Sequence, residues 1–144
     1  MKKIIFTLLV LFTVQAGFSQ ILNPVKFSYS AIKKGKNQYE VRIKTILDPK
    51  WHIYSVFNPE GGAEPTVVKL TGSHMGKTKE VGKLTTIYDK EFGVNQKYYE
   101  SAVDFVQLVK TTPGAKKLTG SIEYMVCNDR QCLPPKELAF EIKL

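Results

Sequence analysis

The chain has 144 residues, 43% of them hydrophobic and 24% charged, with a formal net charge of +8. That length suits one domain with a real core. The lysines are spread thinly, as at Lys33, Lys36, Lys77, Lys79, Lys83 and Lys116, which argues against a nucleic-acid interface and reads as solvated strand edges and loops.

Residues 1–19 read as an export signal. Lys2 and Lys3 form a basic start, residues 4–14 an apolar run too short to span a bilayer, and Gly17 and Ser19 supply small residues at −3 and −1 of a cleavage site after Ser19. No cysteine follows that site, which argues against a lipid anchor. No later apolar run approaches about 18 residues, so a soluble mature domain over 20–144 is expected. Cleavage lowers the basic count from 21 to 19 against 13 acids, a mature net charge of +6.

A first strand is expected over 25–32, with Phe27 and Tyr29 in phase, then a turn over 33–37. Tyr39, Val41, Ile43 and Thr45 alternate with Glu40, Arg42 and Lys44, a clear period of two. Asp48-Pro49-Lys50 ends that strand. Trp51 and Ile53 share one face of the next, 51–55, and His52 reads as a packing residue beside Trp51. Residues 58–65 form a turn-rich loop, 66–70 a short strand, 71–79 a polar loop, and 85–88 a strand or loop. Residues 89–97 are polar apart from Phe92 and Val94, and a strand covers 102–109. Leu118, Ile122, Tyr124 and Val126 share one parity; Leu138, Phe140, Ile142 and Leu144 alternate with Glu141 and Lys143. About eight short strands, with no convincing amphipathic helix and no repeat, predict an all-β sandwich.

The two cysteines, Cys127 and Cys132, lie between the last two of these strands, with four residues between them. Asn128-Asp129 is turn-forming chemistry, so the stretch reads as a β-hairpin whose loop is bracketed by two thiols. Opposed strand residues have Cα atoms roughly 4.5–5.5 Å apart, within reach of a disulfide. Cys127 is out of phase with Leu118, Ile122, Tyr124 and Val126, so it points away from the core those residues face. In an oxidising compartment the pair tends to be a disulfide.

Three readings compete. A structural staple closing so short a loop contributes only about 2 kcal/mol, against about 4.7 for a hundred-residue loop. A zinc site needs further ligands, and only His52 and His74 are available, at no recognisable spacing. A redox-active dithiol fits a local bond that opens without unfolding the domain. Pro134 and Pro135 stop an ordinary central strand after Cys132 and keep one side of that thiol open. Arg130 and Lys136 favour a thiolate, while Asp129 opposes it. The residues alone leave these readings open, and they make Phe92 an ordinary core anchor.

The run Cys127-Asn-Asp-Arg-Gln-Cys132-Leu-Pro-Pro, preceded by Tyr124, resembles the active hairpin of the amino-terminal periplasmic domain of the DsbD family of thiol:disulfide interchange proteins. Trp51-His52-Ile53-Tyr54-Ser55 before a Gly/Pro loop, and Tyr88-Asp89-Lys90-Glu91-Phe92-Gly93, agree with it. The resemblance extends over nearly the whole mature chain. It implies a periplasmic, immunoglobulin-like β-sandwich carrying the dithiol on a β-hairpin, with no cofactor and no metal. It also implies that Cys132 is the accessible thiol that forms mixed disulfides, Cys127 the resolving thiol, and Phe92 the best candidate for an aromatic cap. Electrons would come from a membrane-embedded thiol reductase fed by cytoplasmic thioredoxin. They would pass to periplasmic disulfide isomerases or to the thioredoxin-like reductases of cytochrome c biogenesis.

Two departures stand out. Well-known members place five residues between the cysteines, where this chain has four. The usual family protein also continues into membrane and thioredoxin-like domains, so this chain reads as a stand-alone exported domain with a separate donor. The alternative, from a different class, is a non-catalytic envelope binding or assembly module with a structural Cys127–Cys132 disulfide. Such a bond has a reduction potential below about −300 mV, whereas an exchanging pair sits higher.

Overall fold

The computed structural model describes residues 22–144; the expected export signal, residues 1–19, lies outside the described residues. Nine strands follow in order: β1 (Val25–Gly35), β2 (Gln38–Leu47), β3 (His52–Tyr54), β4 (Val67–Leu70), β5 (Ser73–Asp89), β6 (Val94–Lys110), β7 (Lys117–Tyr124), β8 (Val126–Cys127) and β9 (Lys136–Lys143). One sheet runs β1-β2-β6-β3-β8, with β5 on the free edge of β6; the other runs β4-β7-β9. The pairings between strands are antiparallel. The result is an all-β, immunoglobulin-like sandwich.

The alternation read in β2 sets the core. Val41 and Ile43 are buried with Thr45 and Leu47, while Lys44 and Ile46 face out. From the same sheet Ile53, Val103, Phe105 and Val109 join them, and Leu118, Ile122, Phe140 and Ile142 come from the other. Aromatic pairs join the layers at one margin: Tyr29 of β1 stacks on Phe140 of β9 at 4.2 Å, and Phe27 meets Tyr124 edge-on at 4.8 Å. Such pairs contribute roughly 0.5–1.5 kcal/mol beyond their buried area.

β6 changes neighbours part-way along one edge. Its residues 98–100 pair with β3 and its residues 102–110 with β2. Ser101 sits at the junction with a positive φ of 66°. This switch lets the short β3 join the sheet beyond the end of β2.

The polar stretch expected as a loop over 71–79 is instead largely the start of β5, which pairs with β6 from Ser73↔Lys110 to Asp89↔Val94 with two register shifts. An edge strand has one ladder partner and solvent on its other side, so it does not need the apolar alternation that marks a central strand. Lys77, Lys79 and Lys83 are exposed along it, which protects the edge against pairing with another chain.

Glu80 ties β5 to the segment after β3. Its carboxylate accepts from Ser55 Oγ at 2.8 Å, Val56 N at 2.7 Å and Tyr99 Oη at 2.9 Å. Burial and this carboxylate push the Tyr99 hydroxyl well above the usual phenol range. Hydrogen bonds to a charged acceptor are about twice as strong as neutral ones. Glu80→Gln is therefore expected to cost about 1–3 kcal/mol and lower the melting temperature by several degrees, read by thermal circular dichroism. An unchanged melting temperature would remove Glu80 from this role.

Candidate functional site

The cysteine hairpin grows out of a change of sheet. β7 pairs with β9 as far as Tyr124↔Lys136. Beyond Tyr124 the chain leaves that sheet, and Val126 and Cys127 become β8 on the edge of the other one, in the register Ile53↔Val126 and His52↔Cys127. The expected hairpin is present, but its first strand belongs to the sheet opposite β7. Burial explains the crossing: Tyr124 and Val126 are both buried, one under each sheet.

The loop is held by one side chain. Asn128 Oδ1 accepts from the backbone N–H of Arg130 and of Gln131, both at 2.9 Å. Asn128 N donates to Gln131 O, and Leu133 N to Val126 O, each at 2.9 Å. Asparagine side chains close such turns by mimicking a backbone turn. Cys127 and Cys132 face each other across an antiparallel bridge, 4.0 Å apart at Cα, and form a disulfide.

The two sulfurs have unlike surroundings. Cys127 is 2% exposed, whereas Cys132 is exposed. Opposed residues of an antiparallel pair project to the same face. Val126 and Ile53 face the core, so Cys127 and His52 face outward, as the phase of Cys127 predicts. Cys127 is thus buried on the outer face of the sheet.

That face carries a cluster absent from the expectations. Glu100, His52 and Cys127 stand in one row across β6, β3 and β8. Tyr54 and Tyr98 form the next row. The His52 ring lies 4.4 Å from that of Tyr98, and its Nε2 is 3.3 Å from Tyr54 Oη. Burial pulls the imidazole pKa below its ordinary value, while the carboxylates of Glu100 and Asp129 act in the opposite direction. Burial pushes the Tyr54 and Tyr98 hydroxyls up, helped by Asp89 at Tyr54 and by Glu100 and Asp129 at Tyr98. A cavity of about 310 Å³ opens beside the cluster, with Lys50, Glu100 and Asp129 at its wall. His52 does pack against aromatic rings, but beside a cysteine. The inward phase of Trp51 and Ile53 puts His52 outward; its pairing with Cys127 carries no sequence signal. Among the described residues, no three His, Cys, Asp or Glu side chains converge as metal ligands do.

Phe92 sits at the tip of the β5–β6 hairpin. Asp89 Oδ1 accepts from Glu91 N at 2.9 Å and Phe92 N at 3.2 Å, and Gly93, at φ 71°, donates its N–H to Asp89 O. Phe92 is 54% exposed, so it is not a core anchor. The same turn brings Asp89 within electrostatic reach of Tyr54.

Residues 19–144 match the family described as thiol:disulfide interchange protein DsbD, N-terminal. The chain belongs to this family. Its fold is similar to the N-terminal periplasmic domain of ScsB from Proteus mirabilis, with TM-score 0.65 and 17% identity over 85% of this chain. The match spans 47% of that ScsB chain, about half its length. It is also similar to the reduced DsbD N-terminal domain of Neisseria meningitidis, with TM-score 0.56, 16% identity, 82% of this chain and 85% of that one. The same holds for a complex of the DsbD and PilB N-terminal domains from that organism, with TM-score 0.56, 16% identity, 85% of this chain and 87% of that one. A comparison with curated proteins finds no match. In a DsbD N-terminal domain, a cysteine pair joined at a surface hairpin supports thiol–disulfide exchange in general terms.

The difference in burial predicts how the reduced protein reacts with a small alkylating agent. Iodoacetamide should modify Cys132 at least about tenfold faster than Cys127, because thiol reactivity follows access and thiolate character. Peptide mapping after a timed quench reads this, and equal rates would contradict the geometry.

Proposed function

We propose that this DsbD-family domain is an exported thiol–disulfide exchange module working through Cys127 and Cys132. The observation that carries this reading is the asymmetry of the pair, one cysteine exposed and the other, joined to it by a disulfide, buried. In the reduced domain the Cys132 thiolate attacks a partner disulfide, and the partner's other sulfur leaves as a thiolate. Cys127 then attacks Cys132 Sγ, the internal disulfide forms, and the partner leaves fully reduced. Two electrons pass to the partner, and no cofactor or metal takes part.

The domain is exported by cleavage after Ser19 and works in the periplasm, a reading supported by its similarity to a periplasmic ScsB domain. The electron donor is a membrane-embedded thiol reductase, and the acceptors are thioredoxin-like or disulfide isomerase proteins. Support for a protein acceptor comes from the complex of a related DsbD domain with a PilB domain. Phe92, exposed on a turn near the outer face, is the cap that keeps small oxidants from the reduced pair.

Trapping tests the roles. Cys127→Ala should accumulate partner adducts through Cys132, and Cys132→Ala few or none. Equal trapping by both variants, or none by either, counts against this assignment of roles. The cap has its own test. Phe92→Ala should raise the rate at which glutathione disulfide oxidises the reduced domain several-fold, without changing its melting temperature. An unaltered rate removes Phe92 from the site.

A further inference from the structure

We propose that His52 accepts the thiol proton of Cys127 in the resolving step, within a Glu100–His52–Cys127 row in which the carboxylate stabilises the imidazolium. This inference rests on the exchange reading above and adds a residue and a proton path to it.

His52 is opposed by Glu100 on one side and by Cys127 on the other, so the three side chains project from one face of three adjacent strands. Neighbouring Cβ atoms in such a row are about 4.5–5.5 Å apart. A thiol, an imidazole and a carboxylate in that order are the parts of an activated nucleophile: a base beside the sulfur and an anion behind the base. The chemistry needs one. Cys127 is 2% exposed, and burial raises a thiol pKa. Only the thiolate attacks a disulfide.

The groups around the ring suit it to the task. Tyr54 Oη lies 3.3 Å from Nε2; with that oxygen accepting from Nε2–H, Nδ1 is the nitrogen free to take a proton. Burial lowers the imidazole pKa against the pull of Glu100 and Asp129, which favours the neutral form a base requires. Tyr54 and Tyr98 stay protonated in this range and do not compete as bases. The charged groups facing the ring are Glu100 from β6 and Asp129 from the cysteine loop, with Lys50 beside it and Arg130 in the adjoining cavity.

The step balances. The proton moves from Cys127 Sγ to His52, and the Cys127 thiolate forms a bond to Cys132 Sγ. The bond from Cys132 to the partner sulfur breaks, and the partner leaves as a thiolate that takes up a proton. Cys127 and Cys132 are oxidised as the partner disulfide is reduced.

The test uses the reduced protein and 5,5′-dithiobis(2-nitrobenzoic acid), which releases a coloured thiolate twice: once on attack by Cys132, once on resolution by Cys127. The coloured thiolate is a good leaving group that needs no protonation, so the second phase isolates deprotonation of Cys127. In stopped flow at pH 7, His52→Gln should leave the first phase within about twofold and slow the second about tenfold or more. The parent second phase should fall as pH drops through the imidazole pKa, below about 6.5. In His52→Gln it should instead climb with pH across the alkaline range as the thiol itself deprotonates. A second phase equal in rate and pH profile to the parent's overturns the proposal. Should His52→Gln not fold, Glu100→Gln decides, since Glu100 is exposed. Losing that anion should move the parent midpoint to lower pH, and an unmoved midpoint overturns the row. Cys132→Ala separates the two readings: a first phase that survives in it sinks the exchange scheme itself, whereas the His52 outcomes bear only on the proton path.

Discussion

The two-residue pairing of β8 with β3 is the constraint on which the site depends. Val126 inserts beside Ile53 at the margin of the core. Burying a valine contributes roughly 1.5–3 kcal/mol, enough to hold so short a strand in place. The pleat then leaves Cys127 no choice of face. It must project outward, beside His52, with its partner sulfur on the loop that follows. Displacing Val126 by one residue would turn Cys127 into the core and carry the disulfide with it.

The disulfide itself contributes little to holding the body together. A loop this short is worth about 2 kcal/mol in chain entropy, whereas the core draws on both sheets. The loop also has a second closure. The Asn128 side chain binds two backbone N–H groups, and the Leu133 N–H binds back to Val126. None of these bonds involves sulfur, so the turn stays formed when the S–S bond opens. Holding reacting groups close in this way removes most of the entropic cost of joining them again.

The central strands were legible because burial on one face writes a period of two. The alternation of β2 and the shared parity of Leu118, Ile122, Tyr124 and Val126 both correspond to buried rows. The outward direction of Cys127 follows from that parity. The start of β5 was not legible, because an edge strand with solvent on one side carries lysines and glycines where a central strand carries valines. Nor was the neighbourhood of Cys127. β3 spans three residues and β8 two, too few for any periodicity to show which strand pairs with which. His52 therefore read as packing, although it stands opposite a cysteine. Phe92 taken without the resemblance is an isolated aromatic in a polar stretch and looks like a core anchor, and only its place at a hairpin tip shows that it is exposed.

Burial of one sulfur is compatible with exchange because of what buries it. A thiol enclosed in the core would need the sandwich to part, at a cost close to that of unfolding. Cys127 is enclosed instead on the outer face of a sheet, beside a ring cluster of His52, Tyr54 and Tyr98. Local openings of this kind lie at the low end of the range between fraying and global unfolding. The desolvation there still acts on the titrating groups, lowering the imidazole pKa and raising those of the phenols. The outer face is thus only partly desolvated while the ladder beneath it stays closed, and the chemistry of the pair can change without disturbing the fold that positions it.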